Sequence, residues 1–257
     1  MSLPRRSAWF FRGFRRHARR YVARNFHALR LDRDGPPVDP SGPLVVVVNH
    51  SSWWDPMTGL VLTGLFNPGR VHYALMSEFG LNQYRILERM GFFGVEPGTT
   101  RGGAAFLRKA RAILARPESA LWFTPQGRFA DVRERPTRFQ EGLGRLMRRS
   151  SGATVLPLAL EYPFWNDRRP EALARFGAAT VVEDGRSRSA EDWKRLVETA
   201  MEAAQDALAE SSRSRDASRF ETVVAGSAGV GGVYDWGRRL KAAARGEGFS
   251  REHKARA

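Results

Sequence analysis

Leu44-Val45-Val46-Val47-Val48 is an unbroken apolar run, mostly β-branched, that ends at Asn49 and His50. A strand with one face in water alternates apolar and polar residues, whereas a run without a polar position needs cover on both faces. That is the situation of a central strand in a parallel sheet with helices above and below. The core of the chain is therefore expected to start here, after the turn-rich linker Asp32 to Pro43.

The segments that follow alternate in character. Val71 to Met76, Phe92 to Val95, Ala120 to Thr124 and Thr154 to Tyr162 read as strands, with Pro157 arguing for an edge or a bulge in the last. Asn82 to Met90 is helix-like through Ile86, Leu87 and Met90. Ala104 to Arg116 places Phe106, Ala110, Ile113 and Leu114 on one helical face, and Glu141 to Arg149 turns Leu143, Leu146 and Met147 inward. Ala190 to Ala209 carries the stripe Trp193, Leu196, Val197, Ala200, Met201, Ala204 and Leu208, behind a Ser189/Asp192 pair that approximates a capping box. This order gives an α/β class: a single domain with a mostly parallel mixed central sheet flanked by helices, expected over 40–210. A length of 257 residues, 42% of them hydrophobic, is enough to bury its core.

Charge is distributed unevenly. The net charge is +15, yet residues 32–210 hold 23 basic and 22 acidic residues; the excess lies in the termini. Residues 1–31 contain nine arginines and no acid, interleaved with Trp9, Phe10, Phe11, Phe14, Tyr21, Phe26 and Leu29. On a helix Phe10, Phe14 and Tyr21 fall near one stripe, so 1–31 is expected to be a basic, aromatic, amphipathic arm at an anionic membrane surface. The same residues fit a helix that packs its rings on the core and leaves its arginines solvated. No nucleic acid partner is expected. Residues 211–257 form a basic tail expected to hold little fixed structure, and its Gly-rich AGSAGVGG segment lacks the strand and the Lys-Ser/Thr of a phosphate loop.

No apolar stretch approaches the roughly 20 residues of a membrane span, and no secretory signal is legible. The chain is expected to be peripheral or monotopic on the cytoplasmic face of a membrane. Zero cysteines remove disulfides, thiolate metal sites and cysteine nucleophiles. His17, His27, His72 and His253 have no partners at metal-ligand spacing, so no metal site is expected.

The chemistry concentrates in VVVVNHSSWWDP. Five residues along a helix turn through about 500 degrees, so His50 and Asp55 cannot share a helical face. If the strand ends at His50 and a helix starts near Ser51 or Ser52, Asp55 reaches back to the imidazole from the first turns. A carboxylate on one ring nitrogen fixes the tautomer and leaves the other nitrogen as a general base. Ser51 and Ser52 are not in a Gly-x-Ser-x-Gly turn and read as capping residues.

His50 and Asp55 in NHSSWWD resemble the first motif of the glycerolipid acyltransferases, the family of 1-acylglycerol-3-phosphate acyltransferases. GFFGVEPGTTR (91–101) is similar to the second motif, FTPQGRF (123–129) to the third, Phe-Pro-Glu-Gly-Thr-Arg, and VLPLALEY (155–162) to the fourth; ALMSEF (74–79) is similar to the segment before the second. The order and spacing of the family are kept over about 43–165. The resemblance implies transfer of a fatty acyl group from acyl-CoA or acyl carrier protein to a lipid hydroxyl, first of all that of a lysophospholipid, with His50 as general base, Asp55 orienting it and no cofactor. Gln126 stands where the family has Glu, and Arg128 directly follows Gly127 in place of Thr. The family's phosphate-binding Arg of the second motif is missing, since Val95 and Glu96 are followed by Pro97. Arg101, Gln126, Gly127 and Arg128 are the candidate substrate-binding residues. With that Arg absent, a glycolipid, aminolipid or isoprenoid hydroxyl is the alternative acceptor, and a non-catalytic membrane binder is the alternative of another class.

Overall fold

The computed structural model describes residues 3, 4 and 6–226. Its centre is β2 (Leu44–Val48), paired in parallel on one side with β5 (Ser119–Phe123) and on the other with β6 (Ala153–Glu161). β3 (Val71–Ser77) and β4 (Phe92–Val95) continue the parallel sheet beyond β5. On the far side of β6 the sheet turns mixed. β7 (Ala172–Phe176) and β8 (Thr180–Val182) run antiparallel to β6, β1 (Ala28–Asp32) runs parallel to β7, and β9 (Phe220–Ala225) runs antiparallel to β1. The order along the sheet is β4-β3-β5-β2-β6-β7-β1-β9.

Helices cover both faces, which is why β2 has no polar position. Leu44, Val46 and Val48 pack with Phe11, Ala18 and Val22 of α1 (Ala8–Asn25) and with Leu60, Val61 and Leu62 of α2 (Asp55–Leu62). Val45 and Val47 face the other way. They pack with Phe106, Ala110 and Ile113 of α4 (Thr100–Leu114), Leu143, Leu146 and Met147 of α5 (Gly142–Met147), and Trp193, Val197 and Met201 of α6 (Ala190–Ser214). Each fully buried Val, Leu, Ile, Phe or Met side chain among these contributes roughly 1.5–3 kcal/mol. The Ser189 cap of α6 forms as expected, its hydroxyl accepting the Asp192 N–H at 3.0 Å.

Four expectations are revised. Pro157 lies in an interior strand, opposite Val47. Its missing N–H costs nothing because β8 pairs with 153–155 and β7 with 158–161, and the proline falls in the gap between them, where its carbonyl accepts the Gly177 N–H at 2.9 Å. The segment 82–90 is split into α3 (Glu78–Gln83) and a short 3-10 turn over Arg85–Arg89.

Residues 1–31 are not a separate arm. The buried line of α1 runs through Phe11, Ala18 and Val22, with Phe10 and Phe14 packed beside it, and β1 is a rung of the sheet. The tail is likewise shorter than 211–257. The last helix, α6, continues to Ser214, Arg215 closes it in a left-handed conformation (φ 51°), and β9 pairs with β1. Only Phe220 and Val224 of β9 are buried. The described fold thus extends beyond 40–210 at both ends, while residues 227–257, most of the Gly-rich segment included, lie outside the described residues.

Candidate active site

The carboxyl ends of β2, β3, β4, β5 and β6 lie along one edge of the sheet, the edge at which open α/β folds place their ligands. His50 emerges there, two residues beyond β2. Asn49 prolongs the β2–β6 ladder with its side chain, accepting the Leu160 N–H at 2.7 Å and donating to the Leu160 carbonyl at 3.0 Å. The next residue is held from both ends. Its N–H donates to Gln126 Oε1 at 2.7 Å, and its carbonyl accepts the Ala130 N–H at 2.8 Å. The His50 backbone has little freedom left.

Asp55 opens α2, three residues later than the helix start anticipated near Ser52, because 51–54 make a turn first. The geometry still closes: His50 Nδ1 lies 2.8 Å from Asp55 Oδ2. The carboxylate is buried and takes two further donors, the Ser52 N–H on Oδ2 at 3.0 Å and the Tyr162 hydroxyl on Oδ1 at 2.9 Å. A buried charge needs such partners to offset its desolvation. Because Nδ1 faces a carboxylate, it carries the ring proton when the imidazole is neutral, and Nε2 is left as the basic nitrogen. Nε2 has no hydrogen-bond partner among the described residues, and the imidazole side chain is 21% exposed. The ring of Phe129 lies 4.2 Å from the imidazole, centroid to centroid, tilted by 33°.

The remaining candidates divide. Gln126 is buried and supports His50 from the loop after β5. At Gly127 the chain turns with φ +68°, and a Cβ there would sit 3.2 Å from the Gln140 side chain, so glycine is needed for both reasons. Arg128 is exposed and bonded to Glu134. Arg101 is exposed in the first turn of α4. That turn is fixed by the Thr99 cap and by Gly102, whose Cβ would collide with the Glu96 carbonyl. It follows β4, three strands and about 14 Å from β2. Neither guanidinium is bonded to the His50–Asp55 pair.

Other side chains have settled roles. The Ser52 hydroxyl accepts the Trp54 N–H at 3.2 Å, and the Ser51 hydroxyl is buried; neither is hydrogen-bonded to His50. Trp54 packs between Tyr21 and Phe26, whereas Trp53 is exposed. His72 is a core residue whose Nδ1 accepts the Trp122 indole N–H at 3.0 Å. Burial, with Arg6, Arg70 and Arg15 nearby, pushes its pKa down to about 3. Tyr162 and Phe129 were not singled out by sequence reasoning. Phe129 closes the FTPQGRF segment, but nothing in that segment says its ring faces the imidazole.

Among the described residues no group of His, Asp and Glu is arranged to hold a metal ion, and no helix is long and apolar enough to cross a membrane. No curated protein matches the chain in sequence. In structure it is similar to the crystal structure of the 1-acyl-sn-glycerophosphate (LPA) acyltransferase PlsC from Thermotoga maritima, with a TM-score of 0.50 and 16% identity over 80% of this chain and 79% of that one. At this identity the likeness is one of fold. In sequence, the acyltransferase family profile matches residues 21–161, a span that contains His50, Asp55, Arg101 and the Gln126–Arg128 segment. The chain belongs to the acyltransferase family.

Proposed function

We propose that the chain transfers a fatty acyl group from a thioester, acyl-CoA or acyl carrier protein, to a lipid hydroxyl, first of all that of a lysophospholipid. The observation that carries this reading is the 2.8 Å contact of His50 Nδ1 with buried Asp55, which leaves Nε2 as the basic nitrogen. Nε2 removes the proton of the acceptor hydroxyl as its oxygen attacks the thioester carbonyl. Asp55 stabilises the imidazolium that forms. The tetrahedral oxyanion then collapses, the carbon–sulfur bond breaks, and the departing sulfur takes the proton from His50, leaving as the thiol and restoring the neutral imidazole. No acyl-enzyme is required.

Oxyanion donors come from backbone amides. The Gly127 N–H is taken by the Thr124 carbonyl at 3.2 Å, and those of Ser52, Trp54 and Asp55 are spent within the turn before α2. The amides of Ser51, Trp53, Arg128 and Phe129 are without a hydrogen bond among the described residues and are the candidates for this role.

The surface of α1 supports a peripheral attachment to the cytoplasmic face of an anionic membrane. The helix has no acid, and Arg12, Arg16, Arg19, Arg20 and Arg24 are exposed, with Trp9 at its start. Arginines against lipid phosphate and a tryptophan at headgroup depth suit that position. Both substrates of the reaction partition there.

A second acceptor class is favoured by one observation. Arg128 is bonded to Glu134 and Arg101 sits three strands away, so no arginine among the candidates is poised at His50 for a phosphate. Thiol release from a long-chain acyl-CoA, measured with no acceptor, with 1-acylglycerol-3-phosphate and with a phosphate-free glycolipid, separates the readings. Acceptor-dependent release supports transfer and names the acceptor class; equal release without acceptor means hydrolysis and rejects transfer.

A further inference from the structure

Asp55 lies one residue past the strand-to-helix turn, and its carboxylate has to be held in one rotamer for Oδ2 to face the imidazole. Two of its three donors reach Oδ2 from neighbouring residues in the same turn. The third comes from across the sheet edge. Tyr162 follows β6 and its phenol oxygen lies 2.9 Å from Asp55 Oδ1 and 3.2 Å from Thr58 Oγ1. A phenol has one proton, and the carboxylate can only accept, so the phenol donates to Asp55 and the Thr58 hydroxyl donates to the phenol. Burial, with the Asp55 charge beside it, holds the phenol well above its usual pKa, so it remains a donor at every working pH.

The ring of Tyr162 is itself fixed. Phe26, which ends α1, lies 5.6 Å from it and packs edge-on against Trp54 at 4.8 Å; Trp54 in turn meets Tyr21 of α1 at 5.2 Å. An aromatic stack of this kind costs little side-chain entropy to order and permits few rotamers. The family profile ends at Glu161, one residue short of this tyrosine.

We infer that Tyr162 is a positioning residue for the His50–Asp55 pair: by donating to Oδ1 from a ring wedged against α1, it holds the carboxylate with Oδ2 on the imidazole. It touches no substrate and acts through Asp55. This rests on the reading of His50 as the base, and it makes α1 part of the scaffold of the site in addition to a charged surface. Loss of the hydroxyl leaves a buried carboxylate oxygen without its donor, so the bond is worth more than an exposed one.

Tyr162→Phe keeps the ring and its packing and tests the bond alone. The first readout needs no substrate: the Nδ1 proton resonance of a 15N-histidine-labelled protein, assigned by its absence in His50→Ala. It should shift or broaden in Tyr162→Phe, and an unchanged resonance would overturn the inference. The second is kinetic, with a long-chain acyl-CoA and a lipid extract as acceptor. kcat should fall about ten-fold with KM unchanged, and the same substitution in an Asp55→Asn background should change kcat less than two-fold. An equal loss in both backgrounds would mean that Tyr162 does not act through Asp55. Full activity of His50→Ala would instead remove the general-base reading, an outcome distinct from full activity of Tyr162→Phe.

Discussion

Gln126 Oε1 accepts the backbone N–H of His50 at 2.7 Å. The hydrogen bond joins the loop after β5 to the second residue after β2, so the side chain beyond one strand end fixes the backbone beyond the next. An acceptor is all the N–H requires. Gln126→Glu keeps one, and we expect transfer within a few-fold of the parent chain. Gln126→Leu leaves the N–H without an acceptor and should cost roughly 1–3 kcal/mol of stability together with most of the activity. Urea unfolding and acyl transfer on the two variants check this; equal behaviour would mean that the contact does not matter.

The β1 side of the sheet is pinned by a buried ion pair. Arg30 Nε lies 3.0 Å from Glu171 Oε2, with both side chains at most 10% exposed, and Arg30 also donates to Thr222 of β9 at 3.1 Å. Removing one partner strands the other charge. Glu171→Ala should lower the unfolding free energy by roughly 3–5 kcal/mol, measured by chemical denaturation. A loss below 1 kcal/mol would argue against β1 and β9 as integral strands.

His72 sets an acid limit. Its pKa is near 3 in the folded chain and about 6.5 unfolded, so between these values the unfolded state binds the extra proton. Stability from this group is complete above pH 6.5 and is lost as the pH falls toward 3. Between pH 7 and 4.5 the loss from His72 should be roughly 2–3 kcal/mol. His72→Gln, which keeps an acceptor for Trp122, should flatten that part of the urea-unfolding profile. An identical pH profile would remove His72 as its source.

Deleting residues 1–31 is a poor test of membrane attachment, because it removes β1 and uncovers the core under Phe11, Ala18 and Val22. Arg12, Arg16 and Arg20 are exposed and are the better targets. At about 1 kcal/mol per arginine near an anionic surface, the triple change to Gln should weaken binding to phosphatidylglycerol-containing vesicles by about two orders of magnitude at low salt. Thermal stability should stay the same. Undiminished flotation would place the attachment elsewhere.

The parallel half of the fold and the His50–Asp55 contact were legible because each is local in sequence. An apolar run announces a covered strand, and a strand followed at once by a helix brings residues five apart together. What was missed is long-range or lightly patterned. β1 and β9 are short segments inside stretches dominated by arginine, serine and glycine, and their place in the sheet comes from pairing with each other and, for β1, with β7. Tyr162 and Asp55 are brought together only because β6 lies beside β2, a neighbour relation that no periodicity encodes. The arginines show the converse: Arg128 looks like a ligand in sequence, and its exposed pairing with Glu134 is visible only in the fold.

Label transfer tests the central claim most directly. Purified parent chain and His50→Ala are incubated with radiolabelled long-chain acyl-CoA, and separately with labelled acyl carrier protein, in the presence of a lipid extract. We expect a labelled lipid product from the parent chain with at least one donor, and its disappearance in His50→Ala. A product formed equally by His50→Ala, or none from the parent chain with either donor, would contradict acyl transfer by a His50 base.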